Sequence, residues 1–395
     1  MPGVSGTLIY IFMRKKFYCT APWTGIHIAE NGHVKTCCEG RIPLGDLCDS
    51  PIDRIIDNST HQEIKQKISS GEVTENCTGC LHREEWAGES PLMNYYNESF
   101  PDINKGIQVI DLRWSNLCNL TCVYCGDKFS TSWMRRHGKK DYLEIRSKHD
   151  LDVEEWLLEQ TPRSSMLLVG GEPLLMKQNQ KLLSKISKDT NISIITNLAY
   201  DLESNPCYKS LTEFTKDKVQ WNISLENIGE KFEWIRAGAE WSQIEKNLKV
   251  LEEGKFAESS TFIAVYGIFS ALDLFETYKK MYSYNLKKIT LQNVTDKPLL
   301  DLFNYPTPIL SIALDQLEKI LTWQKQVLHP EDYELYRIKN FNGTIAKLKT
   351  LIKNNHQGNI TSELFNKEIS RYDQISGRSF KDLWPDVYAL IQQHC

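Results

Sequence analysis

Six apolar, strand-like runs recur through the middle of the chain, at Gln108 to Trp114, Ser165 to Gly170, Ile192 to Asn197, Lys218 to Leu225, Thr261 to Phe269 and Lys287 to Val294. Between them lie stretches whose apolar residues fall at helical spacing, as with Trp241, Ile244, Leu248 and Leu251, which gives a helix one face to bury. Strands that alternate with helices in this way are joined by crossovers and run parallel. The expected fold class is therefore α/β, a partial (β/α)6 TIM-like barrel over residues 107–308, with an open doubly wound sheet as the alternative.

The flanks differ in composition. Residues 1–90 are rich in Cys, Gly and turn residues, and Ile26-His27-Ile28 and Val34-Lys35-Thr36 flank Asn31-Gly32, a hairpin signal. A small module pinned by metal is expected there. From Pro91 to Gly106, two prolines, three asparagines and a glycine interrupt any period, so residues 91–106 read as a linker. From about Ile309 the chain is helical and polar, with breaks at Pro330, Gly343 and Gly377, and residues 309–395 read as a helical C-terminal extension. Within it, Asp373 to Arg378 could fold back toward a site; a solvated helix connection is the alternative.

With 395 residues and 41% hydrophobic content, the chain can bury one large core or two unequal ones. A formal net charge of -4 leaves no electrostatic footprint for polyphosphate, which disfavours nucleic acid as a partner. Eleven cysteines, clustered at short spacing, read as metal ligation in a reducing compartment rather than as a disulfide framework. The apolar run Leu8 to Met13 is short and precedes Arg14, Lys15 and Lys16, which reverses the charge order of a signal peptide. No segment reaches the roughly 20 apolar residues that span a bilayer. A cytoplasmic location without a membrane partner is expected.

Chemistry in parallel β/α folds collects at the carboxyl ends of the strands. The run Cys118-Asn119-Leu120-Thr121-Cys122-Val123-Tyr124-Cys125 follows the first strand, Gly170-Gly171-Glu172-Pro173 the second, Thr196-Asn197 the third, and Ser224-Leu225-Glu226 the fourth. Three thiolates so spaced can hold three corners of a 4Fe-4S cube and leave one iron open. A zinc site completed by a fourth Cys or His is the other reading of the same run.

Taken together, the three-cysteine loop and Gly170-Gly171-Glu172-Pro173 resemble the radical S-adenosylmethionine (SAM) superfamily. The resemblance implies that Cys118, Cys122 and Cys125 are the catalytic cluster ligands and that SAM completes the open iron. Reductive cleavage would then give methionine and a 5′-deoxyadenosyl radical that abstracts hydrogen from a substrate. It further implies that Tyr124 lies against the adenine, that Gly170 and Gly171 bring backbone close to SAM, and that Glu172 accepts a hydrogen bond from its ammonium group. By the same resemblance Asn197 faces the nucleoside, Ser224 and Glu226 contact the ribose (Glu standing where the family has Asp), and Arg236 pairs with the SAM carboxylate. Tyr266-Gly267 would support the adenine, unless that glycine only relieves crowding.

In the amino-terminal module, Cys19, the Gly32 to Cys37 spacing, Cys38 and Cys77-Thr78-Gly79-Cys80 resemble the auxiliary-cluster twitch module, the shortened relative of the SPASM domain. In most relatives this module follows the barrel; here it precedes it. The resemblance implies a second, auxiliary 4Fe-4S cluster on Cys19, Cys37, Cys77 and Cys80, with Cys38 a spare or a replacement for Cys37. A zinc ribbon is the alternative. Gly45-Asp46-Leu47 matches a turn within the module. His27, His33 and His61 are further possible ligands, and Cys48, Cys207 and Cys395 read as bystanders.

A fully ligated second cluster implies electron exchange with substrate, hence net oxidation. The expected protein is a radical SAM enzyme acting on a peptide or protein and served by a flavodoxin- or ferredoxin-type reductant. Oxidation of a small sugar-like or alcohol substrate is one alternative, and a non-catalytic zinc-binding interaction protein is another, from a different class. The basic run Arg135 to Lys140 reads as a solvated helix end or as a docking site for a reductase or an acidic substrate. Trp114 and Trp133 read as core or cluster shielding.

Overall fold

The computed structural model describes residues 18–87, 90–140, 150–160, 164–294, 297–330, 332 and 339–395; the run Leu8 to Met13 and the three basic residues after it lie outside them. Eleven strands are present among the described residues: β1 (Gly25–Ile28), β2 (His33–Lys35), β3 (Gly45–Asp46), β4 (Val109–Leu112), β5 (Thr121–Cys122), β6 (Ser165–Leu168), β7 (Ile192–Thr196), β8 (Val219–Ser224), β9 (Arg236–Ala237), β10 (Thr261–Tyr266) and β11 (Lys288–Asn293). The chain divides into two compact units. Met1–Ser115, Leu143–Gly170 and Lys185–Thr190 form the first, and Asn116–Tyr142, Gly171–Ser184 and Asn191–Cys395 the second.

In the first unit, β1 and β2 form the expected hairpin through Asn31-Gly32, with His27 opposite Lys35. Gly32 takes a φ of 86°, which glycine adopts without steric cost. β3 adds to β2 where a turn had been expected at Gly45-Asp46. On its other side β1 pairs in parallel with β4, His27 opposite Asp111, and β4 pairs in parallel with β6. The helix Ser59–Ser70 starts where the Asn58 side chain accepts the His61 amide and stops at Gly71, left-handed at φ 79°, as cap chemistry dictates. It buries Ile64 and Ile68.

One expectation fails here. Pro91–Ser99, read as linker, is a helix. Proline breaks helices only in their interior, and at the first position it costs nothing. Pro91 sits at that start, and Met93 and Tyr96, three residues apart, are both buried. Tyr96 packs so closely on Gly25 that a Cβ there would lie 2.7 Å from its ring.

In the second unit β7, β8, β10 and β11 are parallel and lie side by side in chain order. Sequential order without reversal is the barrel topology rather than the doubly wound one. All six expected parallel strands form, each within its expected run, and the α/β class holds. Along β7, β8 and most of β10, buried positions alternate with more accessible ones, as strands covered on one face require.

The expected helical extension is present as Thr307–Val327, Lys339–Lys353, Ser362–Ser376, Phe380–Leu383 and Pro385–His394. It is packed, not solvated: Phe380 and Trp384 meet Trp234 with ring centroids 5.4 and 5.5 Å away. Rings of this kind bury roughly 150–250 Å2 each. Asp373 accepts the Trp234 indole N–H at 2.7 Å and the Phe380 amide at 2.8 Å, so the segment Asp373 to Arg378 does fold back, onto the helix Gly229–Ile235 that precedes Arg236. Among the described residues no helix is long and apolar enough to cross a membrane.

Candidate active site

The three-cysteine loop is fixed by its carbonyl groups. Ser130 caps the following helix, Thr131–Arg136, and its hydroxyl donates to the Leu120 carbonyl at 2.7 Å. Thr131 and Ser132 hydroxyls donate to the Cys118 carbonyl at 3.1 and 2.8 Å, and the Trp133 indole donates to the Cys122 carbonyl at 3.0 Å. The Lys297 ammonium donates to the carbonyls of Val123 and Cys125 at 3.0 and 2.7 Å. Inside the loop, β5 pairs antiparallel with β9, which sets Cys122 opposite Arg236.

The sulfur atoms meet different groups. Cys118 Sγ lies 3.8 Å from Asn197 Nδ2, and Cys122 Sγ lies 3.6 Å from an Arg236 guanidinium nitrogen. Burial pushes the Cys118 thiol up to about 11; burial raises Cys122 and Cys125 as well, against the nearby Arg236 charge. Such thiols stay protonated until a metal displaces the proton.

Glu172 ties three segments of this unit together. Its amide donates to the Leu117 carbonyl at 2.7 Å. Its Oε1 accepts from the Leu174 amide at 3.1 Å and the Thr196 hydroxyl at 2.8 Å, and its Oε2 accepts from the Asn197 amide at 2.7 Å. A carboxylate has about four acceptor positions, so Oε2 retains one. Burial pushes this carboxyl up to about 7, with the Asn197, Thr196 and Leu174 donors pulling back. Gly170 has a φ of 120°, the reversed backbone for which glycine is suited. Gly171 answers a different need from the one expected: a Cβ there would lie 2.3 Å from the Leu117 carbonyl oxygen, so its close approach is to the cysteine loop itself.

Arg236 and Glu226 are paired with each other. Arg236 Nε donates to Oε2 at 2.7 Å and a terminal nitrogen to Oε1 at 2.6 Å. The guanidinium also lies over the Tyr124 ring, 5.3 Å from its centroid. Tyr124 and Glu226 line one small cavity whose remaining wall is largely apolar, including Val265, Ile268 and Leu300, with Ser270 as a further polar member. Gly267 belongs to this wall, and a Cβ on it would lie 2.4 Å from the Leu300 carbonyl, so this glycine relieves crowding. Ser224 is half-buried at the end of β8.

In the first unit, Cys19, Cys37, Cys77 and Cys80 line one cavity together with Glu39 and Tyr96. Cys38 is not among its lining residues; its electrostatic neighbours are Asp111, Arg113 and Glu39. The thiols surround the space rather than crowd one point: among the described residues no three His, Cys, Asp or Glu side chains are grouped so as to share a single ion. Burial pushes Cys19 up to about 12 and Cys37 well up. The three histidines have other partners. His27 faces Asp111 at 3.0 Å, His33 faces Asp46 at 3.4 Å, and the two ring nitrogens of His61 lie 2.6 Å from the Ile56 and Pro22 carbonyls.

Residues 112–281 match the family model described as the radical SAM superfamily, and residues 19–81 match SPASM, an iron-sulfur cluster-binding domain. The chain thus carries a radical SAM domain and a SPASM domain. It is 32% identical over 144 residues to 7-carboxy-7-deazaguanine synthase of Clostridium acetobutylicum, covering 34% of this chain and 61% of that protein. It thus spans about three fifths of the curated relative it matches. Among solved structures, native anSMEcpe with bound AdoMet is similar at 16% identity over 55% of this chain and 62% of that one, with a TM-score of 0.41. Streptococcus suis SuiB bound to precursor peptide SuiA is similar at 13% identity over 78% and 70%, with a TM-score of 0.42.

A radical SAM domain takes a 4Fe-4S cluster and SAM, and a SPASM domain takes an iron-sulfur cluster. The residues present fit both. Every second-unit candidate from Cys118 to Arg236 lies within the radical SAM match, and the four soft thiols Cys19, Cys37, Cys77 and Cys80, which line one cavity, are the donor type that an iron-sulfur cube takes. Sequence reasoning missed the groups that hold the radical SAM loop. Lys297 follows β11, and the strand-end rule that located the other residues, carried to the sixth strand, reaches it. Ser130-Thr131-Ser132 is a helix-start signal. Asn119, whose Oδ1 accepts from Asn197 Nδ2 at 3.0 Å, carried no signal.

Proposed function

We propose that this chain is an enzyme that cleaves SAM reductively on a cluster held by Cys118, Cys122 and Cys125 and so oxidises a peptide or protein. The observation that carries this reading is the set of three thiols, Cys118 and Cys122 buried and Cys125 half-buried, beside Asn197, Arg236 and a carboxylate, Glu172, that keeps an acceptor position open. When bound, the cluster supplies one electron that splits the SAM sulfonium bond into methionine and a 5′-deoxyadenosyl radical, which takes hydrogen from the substrate. The protein binds and orients. Glu172 Oε2 accepts from the SAM ammonium, a charge-assisted bond in a dry setting. Arg236 holds Glu226 with two nitrogens and offers its third, the one beside Cys122, to the SAM carboxylate.

Glu226 and Ser224 serve the ribose hydroxyls, Asn197 faces the nucleoside, and Tyr124, beside the apolar side chains of Val265, Ile268 and Leu300, lies against the adenine. Gly170 and Gly171 allow the backbone path that brings Glu172 to this position. Cys19, Cys37, Cys77 and Cys80 would hold the second cluster, the electron acceptor that makes the net reaction an oxidation. A flavodoxin- or ferredoxin-type protein supplies the first electron. The SPASM match supports the second cluster; a small-molecule substrate is the second reading, supported by the curated relative, whose name denotes a small product.

Oxygen-free reconstitution tests this. Two cubes give about eight irons per chain and a brown protein. With dithionite and SAM, 5′-deoxyadenosine should form; Cys122→Ala should abolish it, while Cys77→Ala should leave uncoupled cleavage. A colourless, zinc-holding protein would overturn the proposal. Stimulation by a peptide pool rather than by a pool of small alcohols and heterocycles separates the two substrate classes.

A further inference from the structure

The turn after Cys125 and the helix behind the cysteine loop form a basic surface with a single aromatic tip. From Gly126 to Lys140 the only acid is Asp127, against Lys128, Arg135, Arg136, Lys139 and Lys140. Arg135 to Lys140 are all exposed. Asp127 binds His137 and Lys139, each at 2.6 Å, which ties the turn to the end of the helix. Arg135 and Arg136 are spent on neutral oxygens, Thr131 O, Ser132 Oγ and Ile375 O, so their charge is left uncancelled by any carboxylate among the described residues. Phe129 stands 41% exposed in this turn, with the Lys128 ammonium 5.1 Å from its ring centroid.

This surface lies on the carbonyl side of the cysteine loop. Trp133, 3% exposed, stacks against His137 at 5.4 Å, lies under the Arg371 guanidinium at 5.6 Å, and donates its indole N–H to the Cys122 carbonyl. The Cys118 and Cys122 sulfur atoms face other groups, Asn197 and Arg236. The basic face thus has a short bonded route to the loop backbone and no contact with the groups assigned to SAM. That suits an electron donor better than a substrate.

We propose that this face docks an acidic flavodoxin-type reductant, with Phe129 as the apolar anchor against an exposed flavin edge and the surrounding cations steering the encounter. The proposal rests on the function given above. An apolar centre ringed by charge is how transient interfaces combine affinity with fast association. One electron leaves the anionic flavin hydroquinone, which becomes the neutral semiquinone without moving a proton, and lowers the cluster's charge by one.

The test uses the full, reconstituted chain and the double variant Arg136→Glu/Lys140→Glu. Cluster reduction is followed by stopped-flow absorbance and by the EPR signal of the reduced cluster, and cleavage by 5′-deoxyadenosine. With reduced flavodoxin at low salt, the second-order rate of cluster reduction should fall roughly ten-fold or more, and its salt dependence should flatten. With dithionite, which needs no docking face, variant and parent should agree. Phe129→Ser should slow the flavodoxin reaction without changing its salt slope. Equal flavodoxin rates in parent and variant overturn the proposal, as does a loss confined to ferredoxin or to the substrate's KM under dithionite. Absence of cleavage in the parent would strike the proposed function alone, because cluster reduction by flavodoxin is read independently.

Discussion

Arg236 and Glu226 face each other through two hydrogen bonds of 2.7 and 2.6 Å, with side chains only 6% and 1% exposed. Burial pulls the guanidinium down, but Glu226, Tyr124 and Cys122 outweigh it and push it well up. A pair so buried fails badly when one member is lost, because the other is left charged and dry. Arg236→Met or Glu226→Leu alone is therefore expected to cost about 3–5 kcal/mol, and the double variant much less than their sum. Urea denaturation of the three proteins measures this, and additive losses would contradict it.

The carboxyl of Glu172 titrates near neutrality, at about 7 rather than its ordinary 4.5, because it is buried. The folded protein keeps that proton over a pH range in which the unfolded chain has released it, so stability falls as pH rises from about 5 toward about 8. Glu172→Gln removes the titrating group and should flatten this slope by up to about 3 kcal/mol. SAM affinity of the parent should rise over the same interval, since a bound ammonium needs the ionised carboxylate. Calorimetry at three pH values checks both.

Gly171 has no room for a side chain. Gly171→Ala would press a methyl group into the Leu117 carbonyl and displace the cysteine loop, at a cost of about 1–3 kcal/mol or more. Gly126→Ala, at a position with nothing within 4 Å of the added carbon, is the matched control and should be near neutral. Thermal unfolding and 5′-deoxyadenosine yield should both separate the two variants.

Of the neighbouring cysteines, Cys37 lines the cavity in the first unit and Cys38 does not. Iron analysis after reconstitution should find about four irons fewer in Cys37→Ser and an unchanged content in Cys38→Ser. The opposite pattern would exchange their roles.

The parts legible in the sequence are those governed by local pattern or fixed spacing. Strand runs such as Ile192 to Asn197 declare themselves by apolar content and breaks, and the hairpin at Asn31-Gly32 by its turn chemistry. The cavity-lining set Cys19, Cys37, Cys77 and Cys80 was reached by spacing through resemblance. The parts that escaped depend on contacts distant in the chain. Nothing local to Glu226 announces that each of its oxygens accepts from Arg236, and nothing local to Lys297 announces carbonyl partners more than 170 positions earlier. The helix Pro91–Ser99 escaped for another reason: proline breaks a helix in its interior and starts one at its first position, and composition alone does not distinguish the two.

The parallel pairing of β1 with β4 bears on how the protein can be dissected. Each residue of β4 finds partners on both sides, β1 on one and β6 on the other. A fragment lacking the amino-terminal ninety or so residues would carry β4 as a naked margin, its amide and carbonyl groups unfilled and buried hydrophobic side chains behind them. Such margins recruit other chains. The leading segment is thus part of the scaffold, and its removal is expected to yield aggregates before it yields a simplified catalyst.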